Sequence, residues 1–289
     1  MALNMIVTVK QVPDTHNVSG DAMKPDGTVN RGALPAITNP EDLNALEEAL
    51  KLIEKYHGHI TVITMGPPNA LKTLKECLSR GADDAIIISD RKFAGSDTLA
   101  TSYVLHCAIK KIGNYDLILC GRQAIDGDTA QVGPQVAEKL NINQITSLLE
   151  VKSVEGGSII VKRAIEDGYE IVKSQLPVLL TVTAEANNPR SPSAKRTIAF
   201  KNIKKKQGTE SYEEIVLRTP AMDIIRYIRE WNAEIIGANP KACGLSGSPT
   251  KVKEIQNVVL SVNNVKRIPA TEKDISDLIR ELTSEHIIG

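Results

Sequence analysis

Short apolar runs alternate with segments of helical periodicity through the first half of the chain, and this alternation restricts the fold more than any other feature. Between the runs, apolar side chains recur at helical spacing, as at Leu43, Leu46 and Leu50, which predicts helices. Continuous apolar strands separated by helices are typical of a parallel sheet covered on both faces. The pattern therefore predicts an α/β fold, a parallel sheet with flanking helices. The predicted strands are residues 5–9, 60–65, 85–88 and 117–120.

The predicted helices carry recognisable start signals. Asn39 precedes Pro40, which suits the first helical position, so Asn39 is the expected N-cap of the first helix. Ser96 or Asp97 is the expected cap of the third helix, and the fourth is predicted over residues 130–140. The long connection 11–39 contains the turn signal MKPDGTVNR, which predicts a small hairpin. A connection of this length in a compact domain is usually functional.

The pattern changes after residue 143. Glycine-containing turns there separate four further strand-like runs, which we interpret as antiparallel additions to the sheet. They cover residues 147–154, 158–164, 169–173 and 178–183.

Beyond residue 186 the chain loses this regularity. Residues 187–207 are rich in Pro, Ser and Lys and predict an extended arm, and 208–289 predict a C-terminal tail. Residues 1–186 would then form the α/β domain. In the tail, an amphipathic helix is expected behind a Thr271 cap, with its apolar stripe on Ile275, Leu278, Ile279 and Leu282. Such a helix packs either on its own domain or on a partner subunit, and the sequence favours the partner.

Composition excludes several classes of function. The 289 residues carry 35 basic and 35 acidic side chains and only 3% aromatics, which argues against nucleic-acid binding. The four cysteines form no CxxC pair, so buried free thiols in a reducing compartment are expected. The N-terminal residues resemble neither a signal peptide nor a membrane span, which predicts a cytoplasmic protein.

The most informative segment is GRQAIDGDTAQVGP at residues 121–134, between the fourth strand and the fourth helix. Parallel sheets bind ligands at the carboxyl ends of their strands, and a helix N-terminus suits a pyrophosphate. Arg122 can supply a positive charge, while Asp126 and Asp128 are expected as caps or as acceptors for ribose hydroxyls. The alternative is an ordinary capped loop.

Three further segments follow neighbouring strands or begin a helix at the same predicted edge. They are residues 8–13, 65–68 and 95–102, and the last has the small hydroxyl residues that can bond a polyhydroxyl chain. A plain helix cap would explain this segment equally well. The sequence has no P-loop, GxSxG or GxGxxG motif and no zinc spacing, so no catalytic side chain and no metal site are expected.

Taken in order, VTVKQVPD, TNPEDLNALEEALKL, TMGPPNA, GADDAIII and above all GRQAIDGDTAQVGPQ resemble the β subunit of an electron-transfer flavoprotein. The resemblance extends to about Arg190. It implies an adenine-nucleotide-binding fold and an obligate α subunit as partner. In ordinary members of this family the β subunit holds a structural AMP, and the resemblance places its contacts at Thr8, Asn39–Glu41, Met65 and residues 122–133.

A second branch of the family bifurcates electrons, and its β subunit holds an FAD of its own in place of AMP. There NADH reduces this flavin, and electrons divide between a ferredoxin or flavodoxin and, through the α-subunit FAD, a flavin-dependent dehydrogenase. The segments GSDTLATS at 95–102 and GANP at 237–240 resemble this branch. The resemblance therefore implies an electron-transfer subunit, redox-active only in complex, with FAD and NAD as cofactors, or AMP in the ordinary branch.

Members that serve acyl-CoA dehydrogenases carry a leucine in the arm at the position where this chain has Ala194. The resemblance therefore leaves the dehydrogenase open between an acyl-CoA and a lactate type. A stand-alone nucleotide-binding domain is the remaining alternative. The complete set of expected cofactor-binding residues is Thr8, Lys10, Asn39, Met65, Gly66, Asp97, Thr98, Thr101, Arg122, Gln123, Asp126, Gly127, Asp128, Thr129, Ala130, Gln131, Val132 and Gly133.

Overall fold

The computed structural model describes residues 2–14, 35–250 and 267–284. Its strands are β1 (Leu3–Thr8), β2 (Gln11–Pro13), β3 (Ala36–Thr38), β4 (Gly58–Met65), β5 (Asp84–Ile88), β6 (Leu117–Gly121), β7 (Asn143–Glu155), β8 (Ser158–Ile165), β9 (Gly168–Gln175), β10 (Val178–Val182), β11 (Lys205–Gln207), β12 (Val216–Arg218), β13 (Asp223–Ile225) and β14 (Ile228–Trp231). Its helices are α1 (Pro40–Tyr56), α2 (Leu71–Arg80), α3 (Thr98–Ile112), α4 (Val132–Leu140), α5 (Ala194–Phe200), α6 (Tyr212–Ile215), α7 (Gly244–Gly247) and α8 (Glu272–Ser284).

A ten-stranded sheet with the order β11-β14-β5-β4-β1-β6-β10-β7-β8-β9 forms the centre of the molecule. Every neighbouring pair from β11 to β7 is parallel. The predicted α/β class and all four strands of the first half are confirmed. Successive side chains of a strand point to opposite faces of the sheet. Both faces therefore present apolar side chains, and helices cover both of them. In β1, Met5 and Val7 pack under α1 and α2, whereas Ile6 packs under α3 and α4.

The antiparallel addition consists of β8 and β9 with the outer half of β7. The prediction is wrong for β10, which lies between β6 and β7 and runs parallel to both. All five residues of β10 are buried, as expected for a strand covered on both faces. Residues 178–182 are apolar except for Thr181 and show no polar alternation, and this pattern was the available signal for a parallel strand.

Residues 187–207 are folded where an extended arm was expected. Helix α5 packs against α2, the backbone N–H of Ser193 donates to Ser79 O at 2.9 Å, and the side chain of Phe200 is buried. Strand β11 then joins the sheet through β14. The segments predicted as arm and tail therefore complete the same sheet, while their role toward a partner stays a prediction.

Helix α8 begins behind Thr271, whose hydroxyl accepts the Asp274 N–H at 3.2 Å, as expected, and none of its residues is buried. The predicted MKPDGTVNR hairpin lies outside the described residues, although the strands that flank it, β2 and β3, pair with each other. All four cysteines are free thiols, and three are buried as expected, whereas Cys107 is partly exposed. No helix in the described ranges has the length and apolarity needed to cross a bilayer.

Candidate functional site

The carboxyl ends of three adjacent strands bring most of the expected residues to one edge of the sheet. β1 lies between β4 and β6, so Thr8, Met65 and Gly121 end neighbouring parallel strands. Helices α3 and α4 begin along the same edge. The prediction that the separate segments share an edge is confirmed by this topology, which is the arrangement in which α/β sheets bind ligands.

Asp42, in the first turn of α1, joins two of these strand ends. Its carboxylate accepts the backbone N–H of Lys10 at 2.8 Å and that of Gly121 at 3.0 Å. The side chain is buried, and desolvation by burial raises its pKa to about 7, although the bonds from Lys10, Asn39 and Gly121 act in the opposite direction. Sequence reasoning placed Asp42 only as an acid in a helix first turn and missed this bridging role.

Asn39 is the N-cap residue of α1 and Pro40 follows it, as expected, but the Asn39 side chain makes no capping hydrogen bond. The Asn39 amide instead donates to Gln123 O at 2.8 Å and accepts the Ile125 N–H at 3.1 Å. Glu41 accepts the Gln123 N–H at 2.8 Å. These bonds attach the loop 121–131 to the start of α1. They form because the backbone N–H and C=O groups of the loop need hydrogen-bond partners.

The charged side chains of the loop are already paired within the chain. Arg122 lies 3.2 Å from Glu41, and Lys10 Nζ lies 2.6 Å from Asp126. The Gln123 amide donates to Asp128 at 3.0 Å. Neither aspartate caps α4, whose N-cap residue is Gln131, so the capping alternative is wrong for both of them. A role as ribose acceptors stays a prediction.

The backbone that leads into α4 is strained and exposes donors. Asp128 and Ala130 have φ angles of 48° and 51°, a conformation that costs free energy in non-glycine residues and is found at ligand-binding loops. It also explains why α4 begins at Val132 and not at residue 130. Within the described part of the chain, the N–H groups of Val132 and Gly133 have no acceptor. Such donors at a helix start fit the phosphate of a nucleotide.

Gly133 permits the close packing of α4 on the sheet. A Cβ atom there would lie 2.7 Å from Cys120 Sγ and 2.9 Å from Thr181 Cγ2. Gly127 is different, because a Cβ atom there would meet no atom within 4 Å. Gly133 therefore lies in close contact with the sheet, whereas Gly127 lies in open space.

The start of α3 lies beside the start of α4. Asp97 caps α3 by accepting the Ala100 N–H at 3.0 Å, as expected. The Thr98 hydroxyl donates to Gln131 Oε1 at 3.1 Å, and Gln135 Nε2 donates to Thr98 at 3.4 Å. The buried Gln135 Oε1 has no partner among the described groups. The two helix starts thus form one polar surface with an unused acceptor.

Residues 237–250 cover the start of α3 from the other side. The Ser248 hydroxyl accepts the Asp97 N–H at 2.9 Å, and Thr250 Oγ1 donates to Asp97 at 2.7 Å. Sequence reasoning connected these segments only through the resemblance. The hydrogen bonds, across more than 150 positions of chain, place them together.

Not every expected residue contacts the loop 121–131. Met65 packs in the core on the α3 and α4 side of the sheet, the Gly66 N–H donates to Ile88 O at 3.1 Å, and the Thr101 N–H bonds to Asp97 O within α3. They line the same edge without a hydrogen bond to the loop. No group of His, Cys, Asp or Glu in the described ranges is arranged to hold a metal.

Comparison with known proteins supplies the family. Residues 26–207, more than half of the chain, match the family model described as "Electron transfer flavoprotein domain". The chain is 43% identical to an electron transfer flavoprotein subunit beta of Thermoanaerobacterium thermosaccharolyticum, covering 99% of this chain and 100% of that protein. The chain belongs to the electron transfer flavoprotein family, as a β-subunit type.

Two other relatives of this electron transfer flavoprotein chain carry names of their own. The Caffeyl-CoA reductase-Etf complex subunit CarD of Acetobacterium woodii is 44% identical over 86% of both chains. Protein FixA of Sinorhizobium fredii is 38% identical, covering 98% of this chain and 93% of that protein. The name of CarD places that relative in a reductase-Etf complex.

Proposed function

We propose that this chain is the β subunit of an electron-bifurcating electron transfer flavoprotein, with an FAD of its own that accepts hydride from NADH. The observation that carries the proposal is the Thr98–Gln131 hydrogen bond of 3.1 Å. This bond connects the start of α4, where free N–H groups suit a phosphate, to the start of α3, where hydroxyl side chains lie. A continuous surface across both helix starts suits a cofactor longer than AMP.

Each part of this surface has a role that follows from its chemistry. The N–H groups of Val132 and Gly133 would hold the pyrophosphate, and Thr98 and Thr101 would bond a polyhydroxyl chain. When bound, the flavin supplies hydride acceptance and one-electron transfer. The chain's own residues supply binding and orientation, since the loop after β6 is held by Asn39, Glu41 and Asp42.

An ordinary β subunit with structural AMP is the second candidate, and one observation favours it. Asp97 already bonds Ala100, Ser248 and Thr250, so the start of α3 is satisfied without a ligand. In that case GSDTLATS would be a plain helix cap, and the chain would pass electrons between a dehydrogenase and an acceptor as a scaffold for the α-subunit FAD.

The proposed partners are an α subunit, a flavin-dependent dehydrogenase of acyl-CoA or lactate type, and a ferredoxin or flavodoxin. The relative CarD is named as part of a caffeyl-CoA reductase complex. Another relative, 39% identical over 99% of this chain, is named acryloyl-CoA reductase electron transfer subunit gamma, from Anaerotignum propionicum. These names favour the acyl-CoA type.

The number of FAD and AMP molecules released per αβ dimer tests the proposal. The chain would be co-purified with its α subunit, denatured, and its nucleotides quantified by chromatography. Two FAD and no AMP, with rapid reduction of one flavin by NADH, are expected. One FAD with one AMP would replace the proposal by the ordinary β subunit, and no nucleotide from this chain would exclude both candidates.

A further inference from the structure

A cavity lies at the amino ends of the strands, on the edge of the sheet opposite the cofactor surface. Its volume is about 380 Å³, within the range of small-molecule sites. Asn4, His59, Asp84 and Arg229 contribute from the starts of β1, β4, β5 and β14, and Lys111 contributes from the end of α3. Nothing in the cofactor surface uses these residues.

Arg229 is the buried polar group of this cavity. Only 7% of the residue is exposed, and its guanidinium pairs with Asp84 through Nη2 and donates to Glu210 O at 2.8 Å through Nη1. Among its other donors, Nε is buried and has no partner among the described groups. A buried donor without an acceptor costs free energy, so an acceptor that reaches it would be stabilising.

The charge of the lining favours an anion. Arg229 and Asp84 neutralise each other as a pair, and Lys111 then leaves an excess positive charge. Lys111 Nζ lies 5.7 Å from the ring centroid of Trp231, which also lines the cavity. Thr209 also lines the cavity and carries a hydroxyl donor that an oxyanion can use.

We propose that this cavity is a binding site for a small oxyanion, a phosphate or carboxylate group held by Lys111 and Arg229. Ammonium and guanidinium groups make charge-assisted hydrogen bonds with such oxyanions. The site is separate from the cofactor surface, so it holds whichever form of the proposed function is correct. An anion bound there would contact both α3 and β14.

Calorimetric titration of the αβ complex with inorganic phosphate, and separately with acetate, tests the site at constant ionic strength. We expect saturable binding of one anion per dimer. Lys111→Gln should weaken it by about ten-fold or more, since a charge-assisted bond is lost. Lys110→Gln, one residue earlier and not on the cavity, is the matched control and should keep the wild-type affinity.

The relative affinities of the two anions identify the group that the site prefers, phosphate or carboxylate. Failure of both anions to bind saturably to the wild-type complex would overturn the proposal. Equal affinity in Lys111→Gln and the wild type would overturn it as well, because binding would then occur elsewhere. Lys111 is exposed, so its replacement leaves the fold intact and the result interpretable.

Discussion

Asp42 shows how one buried side chain can organise the proposed cofactor surface. Its two carboxylate oxygens take one N–H from the end of β1 and one from the end of β6. These two strand ends carry Lys10 and the loop that begins with Arg122. Burial makes ionisation of this carboxylate costly. The side chain nevertheless lies at the position where it holds the two loops in alignment.

Asp42→Asn is expected to change how stability depends on pH. The folded pKa of about 7 exceeds the ordinary value of 3.8, so the folded state binds a proton that the unfolded state releases. The contribution of Asp42 to the free energy of unfolding therefore falls as pH rises from about 4 to 7 and is lowest above 7. The variant should lack this fall.

Urea unfolding of the wild type and the variant at pH 5 and pH 8 measures the effect. The wild type should lose stability relative to Asp42→Asn between these pH values. Asp167→Asn, in the exposed turn between β8 and β9, is the control and should follow the wild type. Parallel curves for Asp42→Asn and the wild type would contradict the assignment.

Gln131→Glu is expected to weaken nucleotide binding without lowering the free energy of unfolding. Gln131 is exposed, and its Oε1 accepts the Thr98 hydroxyl, a bond that glutamate can also accept. A negative charge before α4 suits the helix dipole, so the free energy of unfolding should not fall. The charge should repel a bound phosphate and weaken nucleotide affinity by about ten-fold.

Nucleotide retained after gel filtration of the αβ complex is the measurement for Gln131→Glu. Gln175→Glu, exposed on β9, adds the same charge at a distance and should retain wild-type content. Full nucleotide content in Gln131→Glu would place the phosphate somewhere other than the start of α4.

Among the elements, α4 depends on close contact with the sheet. It packs over Cys120 of β6 and Thr181 of β10 at Gly133, and its first turn follows directly from the strained loop. The helix can begin at the carboxyl edge only because no side chain separates it from these strands. The position of the free N–H groups of α4 thus depends on the absence of a side chain at Gly133.

Gly133→Ala should destabilise the protein by about 1–3 kcal/mol, the usual cost of overpacking. The new Cβ would lie 2.7 Å from Cys120 Sγ, and a buried strand residue cannot move away easily. Gly127→Ala is the matched control, with no atom within 4 Å, and should change stability by less than about 0.5 kcal/mol. Thermal unfolding compares the two, and equal melting temperatures would refute the close contact.

The described part of the chain consists of a folded body and a helix, α8, whose apolar face has no buried residue. Ile275 and Ile279 of α8 are 47% and 51% exposed, and no residue of α8 is buried. An amphipathic helix gains most of its stability from packing its apolar face. The expected surface for this face is the α subunit.

A double variant, Ile275→Ser with Ile279→Ser, should weaken association with the α subunit by at least about ten-fold, because burial of one such side chain contributes about 1.5–3 kcal/mol. The melting temperature of the chain alone should change little, since about half of each side chain is exposed in it. Lys273→Gln is the control on the same helix. Analytical ultracentrifugation of mixed subunits gives the affinity, and an unchanged affinity would exclude α8 from the interface.

The amino-acid sequence predicts the elements and the general position of the site. Apolar runs and helical spacing are local properties, and they were sufficient for β1, β4, β5 and β6 and for the parallel sheet that they form. The motif at 121–134 was also located correctly at a carboxyl edge. The family followed from the motifs and agrees with the family model and the relatives.

The tertiary structure decided which groups meet. Asp42 and Gly121 are 79 positions apart, and a polar residue at a helix start has the same local pattern whether it caps its helix or holds a distant loop. For this reason the roles of Asn39 and Asp42 were not predictable. The same limit applies to β14, whose residues IREW form no apolar run, because its place beside β5 depends on long-range packing.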